Sequence, residues 1–109
     1  MSVELTSEAQ FQKWLQDNAR MKNLLIIKMY YPWCGFCKKI KPDFEALAKQ
    51  LGSARIGFGS VNMDNFPEVA ESLQVSAGPT FLIYRNGRLV QTVEGADIDA
   101  VRQAIKKYQ

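Results

Sequence analysis

Histidine is missing from the 109-residue chain, and cysteine occurs only twice. A zinc site takes about four Cys or His ligands, so this composition argues against a metal site within one chain. Despite a net charge of +3, the chain has no block of about five or more like charges. The longest apolar run, Leu24 to Ile27, is far too short to cross a bilayer. We therefore expect neither nucleic acid nor a membrane as a partner.

Targeting signals are not recognisable at either end of the sequence. The first residues, "MSVELTSEAQ", show neither the basic segment nor the apolar segment of a secretory signal, and the last residues, "IKKYQ", carry no retention or lipidation motif. Hydrophobic residues make up 47% of the chain, which is ordinary for a globular protein. We expect a cytoplasmic, monomeric protein with one domain over residues 1–109.

Hydrophobic periodicity predicts alternating strands and helices. The pattern reads βαβαβαββα, and the Asn86-Gly87 pair is a strong signal for a closing hairpin. Helical crossovers followed by one hairpin predict an α/β fold with a mixed sheet and helices on both faces. The predicted strands are 3–5, 24–31, 56–61, 80–85 and 88–94. The predicted helices begin after the Ser7 cap, run over 35–51 and 65–73, and begin again after the Asp97 cap.

Helix ends are marked by residues that satisfy unpaired backbone groups. Thr6 or Ser7 can cap the first helix, and Gln10 completes a capping box with Ser7. Gly52 is suited to the end of the second helix, where a left-handed residue is common. Pro42 falls inside that helix and is expected to kink it, because proline lacks a backbone donor.

The two cysteines, Cys34 and Cys37, lie in "MYYPWCGFCKK", where the predicted buried strand passes into the second helix. Two cysteines that serve only as small core residues do not fit a junction that contains proline and glycine. A structural disulfide that closes so short a loop would stabilise the fold by only about 2 kcal/mol. A reversible dithiol fits best. The positive end of the helix dipole favours a thiolate at Cys34, and three lysines follow at 38, 39 and 41.

At this point the chain resembles the thioredoxin family. The resemblance rests on "WCGFCK" after a buried strand, on a proline five residues beyond the second cysteine, and on "VNMDNFP", "GPTF" and "NGRLV…VEGA". These motifs occur in the order that the family has, and the resemblance runs from about residue 3 to 108. "YYPWCGFC" also looks partly like a protein disulfide isomerase. The resemblance implies a thioredoxin fold with about five strands and a redox-active disulfide with no other cofactor. It also implies disulfide-containing protein substrates and a separate recycling reductase.

The resemblance assigns roles to the residues of the "WCGFC" motif. Cys34 matches the nucleophile that forms a mixed disulfide with the substrate. Cys37 matches the resolving thiol, which releases the substrate and leaves a Cys34–Cys37 disulfide. Trp33 matches the aromatic residue that shields the site, although plain packing would explain it equally well.

A second group of residues matches the family's substrate groove. Pro79 matches a cis-proline that faces the disulfide, although a trans bond is the default for an X–Pro pair. Gly78, where a branched residue is usual, matches the position whose backbone pairs with substrate, so the groove is expected to be wider or more mobile. Gly95 and Ala96 match the opposite side of the groove.

Three departures from the family pattern bear on redox tuning. Phe36 stands between Gly35 and Cys37, where thioredoxins carry proline and protein disulfide isomerases histidine. Lys28 stands where the family usually has a buried acid, and Ser60 where it often has a lysine. If Lys28 is buried without a partner, it favours an ionised, reduced dithiol and a more oxidising couple; alternatively, its amine reaches solvent from a strand end.

Four functions remain open. The leading one is reduction of protein disulfides through Cys34 and Cys37. The others are a more oxidising oxidase or isomerase, a dimeric carrier of a metal or iron–sulfur cluster bound by thiolates of two chains, and a non-catalytic docking subunit.

Overall fold

The computed structural model describes residues Ser2–Gln109. Along these residues the strands are β1 (Val3–Leu5), β2 (Leu24–Tyr30), β3 (Ile56–Asn62), β4 (Thr80–Arg85) and β5 (Arg88–Glu94), and the helices are α1 (Glu8–Ala19), α2 (Gly35–Leu51), α3 (Pro67–Ser72) and α4 (Ile98–Tyr108). The predicted order βαβαβαββα is confirmed. Within this part of the chain, no helix is long and apolar enough to cross a bilayer.

The strands form one mixed sheet in the order β1-β3-β2-β4-β5. β1 and β2 run parallel to β3, whereas β4 runs antiparallel to both β2 and β5. The hairpin between β4 and β5 closes through Asn86 and Gly87, which both have positive φ, as a tight turn of this type requires. The central position of β2 explains why Leu24–Met29 is buried on both faces.

Helices cover both faces of the sheet, as the sequence predicted. Phe11 of α1 and Val69 of α3 pack on the face that carries Leu25 and Ile27, and these residues belong to one core cluster. The other face is covered by α2 and α4, whose core residues include Ile40, Phe44, Leu47, Val101 and Ile105. Because side chains alternate along a strand, Lys28 shares this second face with Leu24 and Ile26.

Two predicted helix ends differ in detail. The Ser7 side chain accepts from the Gln10 N–H at 3.1 Å, but the Gln10 amide oxygen accepts from Thr6 N–H at 2.8 Å, one residue earlier than in the predicted capping box. Gly52 is the C-cap of α2, as predicted, but its φ of −62° is not left-handed, and it donates its N–H to the Ala48 carbonyl at 2.8 Å. A Cβ at Gly52 would lie 2.4 Å from that carbonyl oxygen, so the close approach favours glycine here.

Candidate active site

Cys34 and Cys37 lie at the N-terminus of α2, both as free thiols. Cys34 is the N-cap residue, and its Sγ accepts a hydrogen bond from the Cys37 backbone N–H at 3.1 Å. The Cys34 thiol also donates to the Gly78 carbonyl oxygen at 3.4 Å. Cys34 is 9% exposed and Cys37 is 3% exposed, so the first sulfur is the more accessible one. A sulfur that already accepts at a helix N-terminus is well placed to carry negative charge.

The loop before α2 presents aromatic side chains next to Cys34. The Tyr31 carbonyl accepts from the Cys34 N–H at 3.2 Å, and the Tyr31 ring stacks on Trp33 with centroids 4.7 Å apart. Trp33 and Phe36 are each 69% exposed. Gly35, between the aromatic residues, is also exposed. Exposed aromatic rings around a reactive thiol offer an apolar contact surface for another molecule.

The other wall of the site is formed by segments that precede and follow the β4–β5 hairpin. The Gly78–Pro79 peptide bond is cis, which confirms the expectation carried by the family resemblance. Gly95 donates its N–H to the Pro79 carbonyl at 2.8 Å and has φ +93°, a conformation that favours glycine. Ala96 follows and is exposed. These residues therefore meet at one edge of the molecule beside Cys34.

Gly78 approaches the active site closely. A Cβ at this position would lie 2.9 Å from the Cys37 Sγ and 3.1 Å from Cδ2 of Tyr31. The room left by the missing side chain is thus taken up by the Cys37 sulfur and by the Tyr31 ring. Glycine here permits a tighter contact than the branched residue usual in the family could make.

Lys28 is buried, with only 3% of its surface exposed. The side chain is therefore enclosed along most of its length, and its amine end lines the cavity described below. In the parallel pair of β2 and β3, Lys28 lies opposite Ser60, which is also buried. Burial lowers the pKa of Lys28, and this effect is opposed mainly by the carboxylate of Glu45.

The charge of Lys28 acts on the second cysteine, Cys37. Burial raises the pKa of the Cys37 thiol to about 11, and the hydrogen bond with Cys34 adds to this rise. The positive charge of Lys28 acts in the opposite direction and lowers the pKa of Cys37. A buried base behind the second cysteine therefore favours its ionised form.

The burial of Lys28 predicts an unusual gain in stability on substitution. A base whose pKa is lower in the folded than in the unfolded chain destabilises the fold below the folded pKa, and the penalty fades as the pH rises towards 10.5. We expect Lys28→Met to raise the free energy of unfolding by about 1–2 kcal/mol at pH 7 and by less near pH 10. Urea denaturation at both pH values measures the change.

The matched control for this measurement is Lys49→Met, because Lys49 is an exposed lysine of α2. It should change stability little at either pH. A loss of stability for Lys28→Met at pH 7 would mean that its surroundings stabilise the charged amine.

Comparisons with known proteins agree with this geometry. The sequence profile of the family described as "Thioredoxin" matches residues 2–107. The chain belongs to the thioredoxin family. It is 36% identical to Thioredoxin 1 of Plasmodium falciparum over 104 residues, which cover 95% of this chain and 94% of that protein. It is 39% identical to Thioredoxin-1 of Saccharomyces cerevisiae over 82 residues, covering 75% and 78% of the two chains.

Solved structures extend the likeness to three dimensions. The crystal structure of Fasciola hepatica thioredoxin superposes with a TM-score of 0.87 at 30% identity, covering 98% of this chain and 99% of that one. Thioredoxins are disulfide oxidoreductases, and this member of the family is a thiol–disulfide oxidoreductase with a CxxC dithiol active site. Its redox group is the dithiol itself, so it needs no external cofactor.

Three residues near the predicted site residues were not singled out from the sequence. Tyr31 stacks on Trp33, and Glu45 and Ser2 line a cavity behind Cys37. Glu45 could have been found, because Cys37, Lys41 and Glu45 recur every four residues and so share one face of α2. Ser2 left no such signal, since its neighbours in space come from other parts of the chain.

Proposed function

We propose that the chain reduces disulfides of protein substrates, with Cys34 as the nucleophile and Cys37 as the resolving thiol. The observation that carries the assignment is the position of Cys34 Sγ. It is the helix N-cap acceptor, it is more exposed than Cys37, and it lies 3.4 Å from the Gly78 carbonyl.

The reaction proceeds in two exchanges. The Cys34 thiolate attacks one sulfur of the substrate disulfide, that bond breaks, and the other substrate sulfur leaves as a thiolate and takes up a proton. The Cys37 thiolate then attacks Cys34 Sγ. A Cys34–Cys37 disulfide forms, and the second substrate sulfur leaves. The protein dithiol is oxidised by two electrons and the substrate disulfide is reduced.

The walls around Cys34 are proposed to bind the substrate chain. An extended segment would add to the backbone at Gly78, next to Pro79, with Gly95 and Ala96 on the other side. The Gly78 carbonyl, which the Cys34 thiol contacts in the free protein, would then be offered to the substrate. Trp33 would cover the reacting sulfurs with its exposed ring.

Lys28, Gly35 and Phe36 are proposed to tune the redox couple. The buried ammonium of Lys28 and the first-turn N–H groups of α2 at Gly35 and Phe36 all favour a thiolate, and therefore the reduced protein. Stabilising the reduced form makes a couple more oxidising. This supports disulfide transfer or isomerisation as a second candidate function.

The test of the proposed function is reduction of insulin disulfides by dithiothreitol, with fully alkylated protein as the control. We expect catalysed turnover that alkylation abolishes, from a colourless monomer. Turnover would contradict a purely docking role, and a coloured dimer without turnover would favour the iron–sulfur alternative. Equilibration with glutathione then gives the reduction potential, for which a value near −180 mV points to isomerase-like chemistry and one near −270 mV to simple reduction.

Phe36→Pro is expected to make the couple more reducing by about 30 mV, a tenfold change in equilibrium constant. Proline removes the backbone N–H of Phe36, which is one of the unpaired donors of the first turn that favour a thiolate at Cys34. Phe36→Ala keeps that N–H and serves as the matched control. An equal shift in both variants would assign the effect to the aromatic ring instead.

We also propose that residues 1–109 act as a single monomeric domain in the cytoplasm, recycled by a separate reductase. In the reducing cytoplasm, Cys34 and Cys37 would return to free thiols between cycles.

A further inference from the structure

A cavity of about 420 Å³ lies behind Cys37, lined by residues of β1, β2, β3 and α2 and of the loop before α2. Its wall includes the Lys28 side chain, the Glu45 carboxylate and the hydroxyl-bearing residues Ser2 and Ser60. These side chains come from four different segments. The cavity therefore places Cys37 beside Lys28 and beside Glu45, to which the reaction described above assigns no role.

The amine of Lys28 has no direct polar partner. Over residues 2–109 it makes neither a hydrogen bond within 3.5 Å nor an ion pair within 4.0 Å. Its Nζ lies 5.1 Å from the ring centroids of Tyr30 and of Phe44. Aromatic rings attract an ammonium group, but they do not neutralise its charge. Any carboxylate that stabilises a charge on this amine therefore acts from beyond 4.0 Å.

Glu45 is the carboxylate that is fixed on the cavity wall. Ser2 donates its hydroxyl to both carboxylate oxygens, at 2.8 Å to Oε2, and its backbone N–H to Oε1 at 3.1 Å. The Ser2 hydroxyl also lies 3.2 Å from that of Ser60, the residue opposite Lys28 in the sheet. The acid is thereby held by a segment next to β1 and is not free to turn to solvent.

The other charged groups around Lys28 are distributed over the packed elements. Glu4 of β1 accepts a hydrogen bond from the Tyr30 hydroxyl at 2.9 Å, and on α2 the cavity is lined by Cys37, Lys38 and Lys41. Among these groups, Glu45 is the strongest influence that raises the pKa of Lys28, ahead of Glu4, whereas Lys41 lowers it.

We propose that Glu45 is a positioning residue for the second exchange: held by Ser2, it keeps the Lys28 amine charged, and that charge stabilises the Cys37 thiolate. The inference rests on the proposed role of Cys37 as the resolving thiol. The Cys37 proton goes to solvent, its thiolate attacks Cys34 Sγ, and the substrate sulfur leaves. Lys28 neither gives nor takes a proton in this step, and Glu45 acts only through Lys28.

The first test is an NMR titration of Lys28 in protein with ¹³C-labelled lysine. Glu45→Gln is expected to lower the pKa of Lys28 by about one unit, the size of effect a nearby opposite charge produces. Glu4→Gln should lower it less. Asp43→Asn is the matched control, because Asp43 is an exposed acid of α2 that does not line the cavity. An equal shift in Asp43→Asn, or no shift in Glu45→Gln, would overturn the inference.

The second test measures resolution of a preformed mixed disulfide at Cys34 between pH 7 and pH 10. At pH 7 the mixed disulfide of Glu45→Gln should be released at the same rate as that of the unmodified chain. At alkaline pH it should be released up to about tenfold more slowly, because Lys28 in this variant loses its proton at a lower pH than in the unmodified chain. In a Lys28→Arg background, Glu45→Gln should have no effect at any pH, because a guanidinium stays charged.

Three outcomes separate the explanations. An equal effect of Glu45→Gln in the Lys28→Arg background would show that Glu45 acts without Lys28 and would overturn the inference. If Glu45→Gln does not fold, Glu45→Asp keeps the charge and should resolve like the unmodified chain. If Cys37→Ser resolves the mixed disulfide as fast as the unmodified chain, it is the proposed role of Cys37 that fails.

Discussion

Replacing Cys34 by serine is expected to lower insulin reduction at least about a thousandfold, because only a thiolate performs the first attack. Replacing Cys37 by serine should lower turnover for a different reason, and by less where an added dithiol can release the substrate. The first exchange still occurs, but no second sulfur lies behind Cys34 to release the substrate. Cys37→Ser should therefore accumulate a covalent complex with the substrate, whereas Cys34→Ser should not.

Mass spectrometry of the protein after incubation with a disulfide-bonded substrate distinguishes the variants. The expected contrast follows from the geometry, because Cys34 is 9% exposed and Cys37 is 3% exposed and covered by Gly78. The double variant, which lacks both thiols, is the control for non-covalent binding. A covalent complex in Cys34→Ser but not in Cys37→Ser would reverse the two roles.

Gly78→Ala is expected to slow the reaction at least about tenfold and to destabilise the fold by about 1–3 kcal/mol, the usual cost of overpacking a tight contact. The added Cβ would lie 2.9 Å from the Cys37 Sγ and 3.1 Å from the Tyr31 ring. One of these groups must move, and both flank the reacting sulfur of Cys34. Insulin turnover and urea denaturation of the same variant measure the two effects.

Gly35→Ala is the matched control, since a Cβ at Gly35 meets no atom within 4 Å. Alanine is also a better helix former than glycine, so the control should be neutral or slightly more stable. If Gly78→Ala had the same turnover and stability as the unmodified chain, Cys37 and Tyr31 would be able to shift without cost. The tight contact would then not explain why glycine replaces the family's branched residue.

Most of the fold could be predicted because its signals are local. The predicted strand 24–31 ends one residue earlier, at Tyr30, and the predicted strand 56–61 continues one residue further, to Asn62. Asn86-Gly87 closes the hairpin because that pair adopts positive φ at low cost. The two helix ends that differ, near Ser7 and at Gly52, depend on which atom a backbone group reaches, and the residue types alone do not specify that choice.

The dithiol could be recognised without a structure. Cys34 and Cys37 are three positions apart at a strand-to-helix junction, and this spacing together with the helix start favours reversible dithiol exchange. The burial and the charges behind the two cysteines could be read only from the folded chain. Ser2, Lys28 and Glu45 are far apart in the chain, and only strand register and the packing of α2 bring them to one cavity. Burial and Coulomb interactions depend on such distant neighbours, so the charge on Lys28 is a property of the fold.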